Sequence, residues 1–138
     1  PWDASVDHHD HVKWLHETAK HLKGRTTRDI IFRPHPLAVL PPIPGCGYSQ
    51  VPIEHDLKDA HAVVTFNSNS AVEAAIYGKP VFAFDEGSMA WTIANTQLDS
   101  IEDPVYPDRK QWANDLAYCQ WTIPEMREGL AWRHIAKS

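Results

Sequence analysis

The chain lacks most of what would tie it to a membrane, to an oxidising compartment or to a nucleic-acid backbone. Its two cysteines, Cys46 and Cys119, stand far apart with no CxxC and no finger-like Cys/His spacing, so neither a disulfide framework nor a structural zinc site is indicated. No apolar run approaches the roughly 20 residues that a bilayer-spanning helix needs. The opening residues, PWDASVDHHDH, have no basic segment followed by an apolar one, as a signal peptide would. A reduced, cytoplasmic chain is expected. Thirteen Lys and Arg face 18 Asp and Glu, for a formal net charge of -5 and a pI near 6.0. That balance argues against a broad footprint on nucleic acid, whose affinity comes from neutralised phosphates. Internal repeats, low-complexity tracts and a DxD motif are also missing, the last being one way to hold a metal against a diphosphate.

What is present fits one compact domain over residues 1–138, a length that buries a sizeable core. The chain begins at Pro1 rather than Met, which we read as a piece of a longer protein or a processed product. Residues 8–23, HHDHVKWLHETAKHLK, place Val12, Leu15, Ala19 and Leu22 at helical spacing, with Gly24 as a stop. DIIFR at 29–33 is a short buried strand closed by Pro34. The proline-rich stretch 36–52 reads as one long loop. IEHDLKDA is a short helix, HAVVTF a strand, SNSAVEAAIYG a helix with Ser or Asn at its cap and Gly78 at its end, and KPVFAF a further strand. This alternation predicts an α/β fold with a mostly parallel sheet. Beyond it, a loop leads to two helices separated near Pro124, spanning about 109–135.

Two polar clusters stand at predicted strand ends. In an open parallel sheet, ligands bind where the carboxyl ends of the strands open into loops, and helix amino termini there favour anions. Asn67, Ser68, Asn69 and Ser70 lie between HAVVTF and its helix, so their hydroxyls, amides and main-chain N–H groups are candidates to surround phosphate oxygens. Arg33 and His35, in RPHP at 33–36, close another strand and would add charge-assisted donors. Glu73, one turn into the helix, is placed to accept from ribose hydroxyls. Asp85 and Glu86, after the last strand, are candidate sugar contacts or loop polars.

RPHP followed by DAHAVVTFNSNSAVEAAIYGKPVFAF resembles the carboxyl-terminal, nucleotide-binding half of GT-B glycosyltransferases. The likeness is greatest to capsule-polysaccharide CMP-Kdo transferases, bacterial sialyltransferases and CDP-glycerol transferases. It covers residues 28–84, and the last helices resemble more loosely those of phage and bacterial glycosyltransferase-like proteins. The resemblance implies a Rossmann-like three-layer α/β/α half-domain. It matches His35 and Pro36 to an HP motif that binds the nucleotide's phosphates, Ser68 and Ser70 to a serine motif, and Glu73 to the acidic residue of an EA…GKP signature. It further implies a CMP-, CDP- or UDP-linked sugar donor, no metal and no other cofactor. An acceptor-binding domain, separate or supplied by a homo-oligomer partner, would pack on the terminal helices, and nucleic acid would enter only as a modified-base acceptor. In the mechanism this implies, Arg33 and His35 stabilise the departing nucleotide, and His35 could act as a general acid because imidazoles titrate near neutral pH.

Plainer readings stand beside these. Ser or Asn before a helix is most often a cap worth about 1 kcal/mol. His after a strand is often only a turn residue, and EAAIYGKP is also a sound helix with a glycine stop. DHHDH at 7–11 contains ligand-type residues but no helical pair with a further ligand, and we expect a solvated terminus. Tryptophans such as Trp91, Trp112, Trp121 and Trp132 are expected in core and domain contacts rather than as base-stacking platforms. The competing function classes are a nucleotide-binding module with no chemistry of its own and a fragment of a sugar-nucleotide epimerase.

Overall fold

A computed structural model describes residues 8–38 and 40–136, with the side chains of residues 8–10 and 135 left aside. The chain is mixed α/β, and it divides into two compact units with the boundary after Tyr106.

In the first unit, helix α1 spans His8–Lys23 and ends before Gly24, as its apolar spacing predicts. Strand β1 is Ile31–Phe32, cut short by Pro34, which has no amide hydrogen to continue a ladder. Strand β2, Gly47–Tyr48, lies inside the stretch expected to be loop throughout. It pairs parallel to β1, with Ile31 opposite Gly47 and Phe32 opposite Tyr48. Parallel neighbours need a crossover of about a dozen residues or more, and residues 33–46 supply it, with no helix among the described ones. The prolines there marked irregular backbone correctly, but two β residues beyond them are too few to give an alternating pattern.

Helix α2, Ile53–Asp59, then leads to β3, Val63–Thr65. Helix α3, Ser70–Ile76, carries the chain to β4, Val81–Ala83, which is parallel to β3. Gly78 ends α3 in the left-handed region at φ 76°, where a side chain would be strained. Its N–H donates to the Ala75 carbonyl while that of Lys79 reaches Ala74, so the last carbonyls of the helix are satisfied as the chain turns back to the sheet.

The two parallel ladders, β1–β2 and β3–β4, are not hydrogen-bonded to one another among the described residues. Strand β4 is the most deeply set, with Val81, Phe82 and Ala83 all buried. On its other side Asn95 extends the pairing: its N–H donates to Val81 O at 2.7 Å and its carbonyl accepts from Ala83 at 3.1 Å. The Asn95 side chain also exchanges hydrogen bonds with the main chain of Val105, so one residue holds the segment after β4 at both ends. Two clusters of the core lie among the described residues. Ala19, Phe32 and Ile43 form one with Leu15, Leu40 and Cys46, and Leu22, Phe82 and Ile101 form the other with Ile30, Val64 and Phe84.

Among its described residues the second unit holds three helices where two are expected: α4 (Lys110–Tyr118), α5 (Ile123–Arg127) and α6 (Leu130–Ile135). The expected break near Pro124 is there, at residues 119–122 between α4 and α5, and Pro124 itself opens α5, because proline's missing donor costs nothing in a first turn. Thr122 caps that turn in a reciprocal box with Glu125. The Thr122 hydroxyl and then its N–H hold the Glu125 carboxyl below its ordinary range. A second break, not expected, comes at Gly129, with φ 71°. Tyr118 and Trp121 both pack on the His134 ring. Trp112 is buried, whereas Trp132 is 73% exposed.

Candidate functional site

The contacts of α1 fix which strand ends share an edge. Near its start, Trp14 meets Phe66 and Phe84, with ring centroids 5.6 and 5.9 Å apart, and His11 meets Phe66 edge-on. These rings stand just beyond the carboxyl ends of β3 and β4. At its finish, Leu22 shares a core with Phe82 and Ile30, and Lys23 donates to the carbonyl of Pro44, which precedes β2. Helix α1 therefore runs opposite to the strands. Its amino-terminal end lies with the loops that leave β3 and β4, and its carboxyl-terminal end lies at the entrances to the strands.

At the β3 and β4 exits, the side-chain amide of Asn67 donates to Asp85 Oδ2 at 2.8 Å, joining the two strand-end loops. Asp85 Oδ1 accepts the Gly87 N–H at 3.0 Å, so this carboxylate shapes a turn as well as facing the loop of β3. Asn69 is the N-cap of α3, but its side chain makes no capping bond. Ser68 fills that role: its Oγ accepts the Ser70 N–H at 3.2 Å and the Ser70 hydroxyl at 2.9 Å. The N–H groups of Ala71, Val72 and Glu73 turn to the carbonyls of Ser68 and Asn69. The first-turn amides of α3, expected to be open to a ligand, are thus taken locally. Two sets of donors remain without a protein partner among the described residues. One is the main-chain N–H groups of Asn67, Ser68 and Asn69. The other is the proton of the Ser68 hydroxyl, whose oxygen already accepts twice. Glu73 and Glu86 are exposed.

The RPHP stretch divides into two roles. Arg33 is half-buried, and its Nη1 donates to Asp56 Oδ2 at 2.8 Å. The same oxygen accepts the Ser49 hydroxyl at 2.7 Å. Neither Asp56 nor Ser49 was legible as a partner, because both are separated from Arg33 by the Pro-rich crossover. Pro34 is buried, while His35 and Pro36 are exposed. His35 Nδ1 accepts the Leu37 N–H at 3.1 Å, a contact that leaves the proton of the neutral ring on Nε2. The imidazole therefore offers an outward N–H donor without needing to be charged.

The opposite edge has a cleft of about 410 Å³ lined by Lys23, Gly24, Arg25, Thr26, Thr27 and Glu102. Its cations are engaged. Arg25 Nε sits 2.7 Å from Asp99, which His21 also reaches at 2.9 Å. Arg28 meets Glu102 at 3.3 Å. Hydrogen bonds from Arg25 and then His21 hold the Asp99 carboxyl below its ordinary range, and the Thr26 hydroxyl, with help from Arg28, does so for Glu102.

Among the described residues no cluster of His, Cys, Asp and Glu could hold a metal ion, and no helix is long and apolar enough to cross a membrane. Asp7, in the DHHDH stretch, lies outside the described residues, and His8, His9 and Asp10 are described only as helical backbone. No family model, curated protein or solved structure matches the chain.

Proposed function

We propose that this chain is a Rossmann-like three-layer α/β/α domain that binds a nucleotide-activated sugar, the donor half of a metal-independent GT-B glycosyltransferase. The observation that carries the reading is the turn between β3 and α3. Among the described residues it leaves the N–H groups of Asn67, Ser68 and Asn69 and the Ser68 hydroxyl proton without protein acceptors, at the exit of a parallel strand. Phosphate oxygens match such a set, since they accept several short hydrogen bonds at once.

In this reading the donor's phosphates rest on residues 67–69. The Nε2–H of His35 and the guanidinium of Arg33 face the charge that grows on the departing nucleotide as the glycosyl bond breaks. Glu73 accepts from the ribose hydroxyls. Asp85, held by Asn67, turns a carboxylate toward the sugar together with Glu86. The site needs no divalent ion in this scheme, because cationic and N–H donors take the leaving-group charge.

Amide chemical shifts report the placement directly. Titration of the labelled chain with CMP, CDP and UDP should move the signals of Asn67, Ser68 and Asn69 first, and leave those of Lys23 to Thr27 in place. Shifts confined to the Lys23 to Thr27 cleft, or none at all, would remove the nucleotide from the β3–α3 turn.

A further inference from the structure

The Arg33, Asp56 and Ser49 contacts form a unit that no sequence motif singled out. The β1–β2 ladder pairs Phe32 with Tyr48, and the Ser49 N–H donates to Phe32 O at 3.0 Å. One step further along the same register stand Arg33 and Ser49. Side chains at paired positions of neighbouring strands project to the same face of a ladder, so these two lie side by side. Helix α2, which follows, brings Asp56 over both, and a single oxygen, Oδ2, accepts from each of them. Asp56 stands in the first turn of α2, whose N-cap is Pro52 and carries no side-chain cap. A carboxylate in a first turn ordinarily favours its own helix dipole. Here it is also spent on the end of β1.

The pair differs from the other arginine pairs of this unit in depth. Arg33 and Asp56 side chains are 27% and 23% exposed, against 49% and 64% for Arg25 and Asp99. The contact also uses only one corner of the guanidinium. Nε and Nη2 of Arg33 make no hydrogen bond among the described residues, so the planar fork is gripped at Nη1 and open along its other edge.

We propose that Asp56, with Ser49, is the positioning residue of the nucleotide site: it holds Arg33 so that Nε and Nη2 are presented, already ordered, to a phosphate of a nucleoside mono- or diphosphate. The proposal rests on the nucleotide-binding reading above. A free arginine side chain loses rotamer freedom when it binds, and that cost counts against affinity. The Asp56 clamp moves the ordering into folding. Its carboxylate also damps the positive charge of Arg33, which works in the opposite direction; we take the ordering to dominate because one edge of the guanidinium stays open.

A double-mutant cycle read by calorimetry on the full chain tests this, with CMP, CDP and UDP as probes. Asp56→Asn keeps the shape but removes the charge, and should weaken binding roughly three- to tenfold, within the range of coupling between contacting residues. Ser49→Ala leaves the ion pair and should weaken it about twofold. Arg33→Ala should lose at least as much as Asp56→Asn, and the double variant Arg33→Ala/Asp56→Asn should bind no more weakly than Arg33→Ala alone. That loss of additivity shows that Asp56 acts through Arg33. Arg33→Lys, which keeps a cation for Asp56 but not the fork, should still bind weakly with its melting temperature held, whereas a purely structural ion pair would be rescued by lysine. Melting temperatures identify any variant that fails to fold, with Ser49→Ala then carrying the test. If wild type binds a nucleotide but Asp56→Asn binds it equally or more tightly, or the two losses simply add, the positioning role is overturned and the nucleotide reading stands. If Arg33→Ala binds like wild type, Arg33 is outside the site and the proposal falls. If wild type binds none of the three nucleotides, the reading on which the proposal rests has failed.

Discussion

The two edges of the first unit are held by different chemistry. Where α1 ends, cations meet carboxylates: His21 and Arg25 converge on Asp99, and Arg28 meets Glu102. Where β3 and β4 exit, the contacts are short-range and mostly neutral, with Ser70 on Ser68, Asn67 on Asp85, and Gly87 on Asp85. The first arrangement uses charge to fasten the turn after α1 to the segment around residues 98–102. The second arrangement shapes loops with a few internal bonds and keeps outward donors. A count of basic residues alone favours the first edge. What distinguishes a candidate site here is the donor that remains after local partners are assigned, not the number of cations nearby.

The largest effect that would break this comparison is expected at His35. If its Nε2–H meets a ligand phosphate, His35→Ala should weaken nucleotide binding by about 1.5–3 kcal/mol, the range for hydrogen bonds to charged groups. That is roughly 10- to 150-fold in affinity. The melting temperature should hold, because the side chain is exposed and its described bond is to the nearby Leu37 amide. Equal affinity in wild type and variant would reduce RPHP to a strand-ending turn. Ser68 comes next. Its oxygen caps α3 through Ser70, so Ser68→Ala should cost about 1 kcal/mol of stability and weaken nucleotide binding as well. Ser70→Ala should do less of both, since the Ser70 hydroxyl only donates to Ser68. Thermal unfolding beside calorimetry separates the two, and a larger stability loss at Ser70 would contradict the assignment of the cap.

The smallest effects belong to the fastening edge. Asp99 and Glu102 are held below their ordinary range by their partners. A depressed carboxylate contributes stability that is fully present above its unfolded pKa, about 4, and is lost as pH falls through the lower folded value. The melting temperature should therefore be nearly level from neutral pH to about 5 and should drop below about 4. Asp99→Asn should flatten part of that drop, lower the melting temperature slightly at neutral pH, and leave nucleotide affinity unchanged. A change in affinity would mean that the edges are not independent.

How much of this was legible in the sequence follows from how local each cause is. The bounds of α1 were readable because Val12, Leu15, Ala19 and Leu22 recur at helical spacing over many turns, and the stop of α3 was readable because Gly78 marks it. The β3–α3–β4 alternation was also visible in the apolar runs and the small polar residues between them. Strand β2 was not, since Gly47–Tyr48 owes its pairing to a neighbour across the Pro-rich crossover rather than to its own pattern. The same distance hid Asp56 and Ser49 as partners of Arg33. The break near Pro124 was readable, because proline suits a first turn and Thr122 with Glu125 caps it, whereas the second break at Gly129 was not singled out. At the candidate site the residue types were readable, whereas the assignment of Ser68 as acceptor and outward donor depended on geometry.

The central claim is that the loops leaving the strands hold a nucleotide through protein donors alone. Calorimetric titration of the wild-type chain with CMP, CDP and UDP, each with and without a chelator of divalent cations, tests it most directly. The account predicts saturable binding of at least one of these nucleotides, with the same affinity when the chelator is present. Binding that disappears in the chelator, or no binding by any of the three, would contradict it.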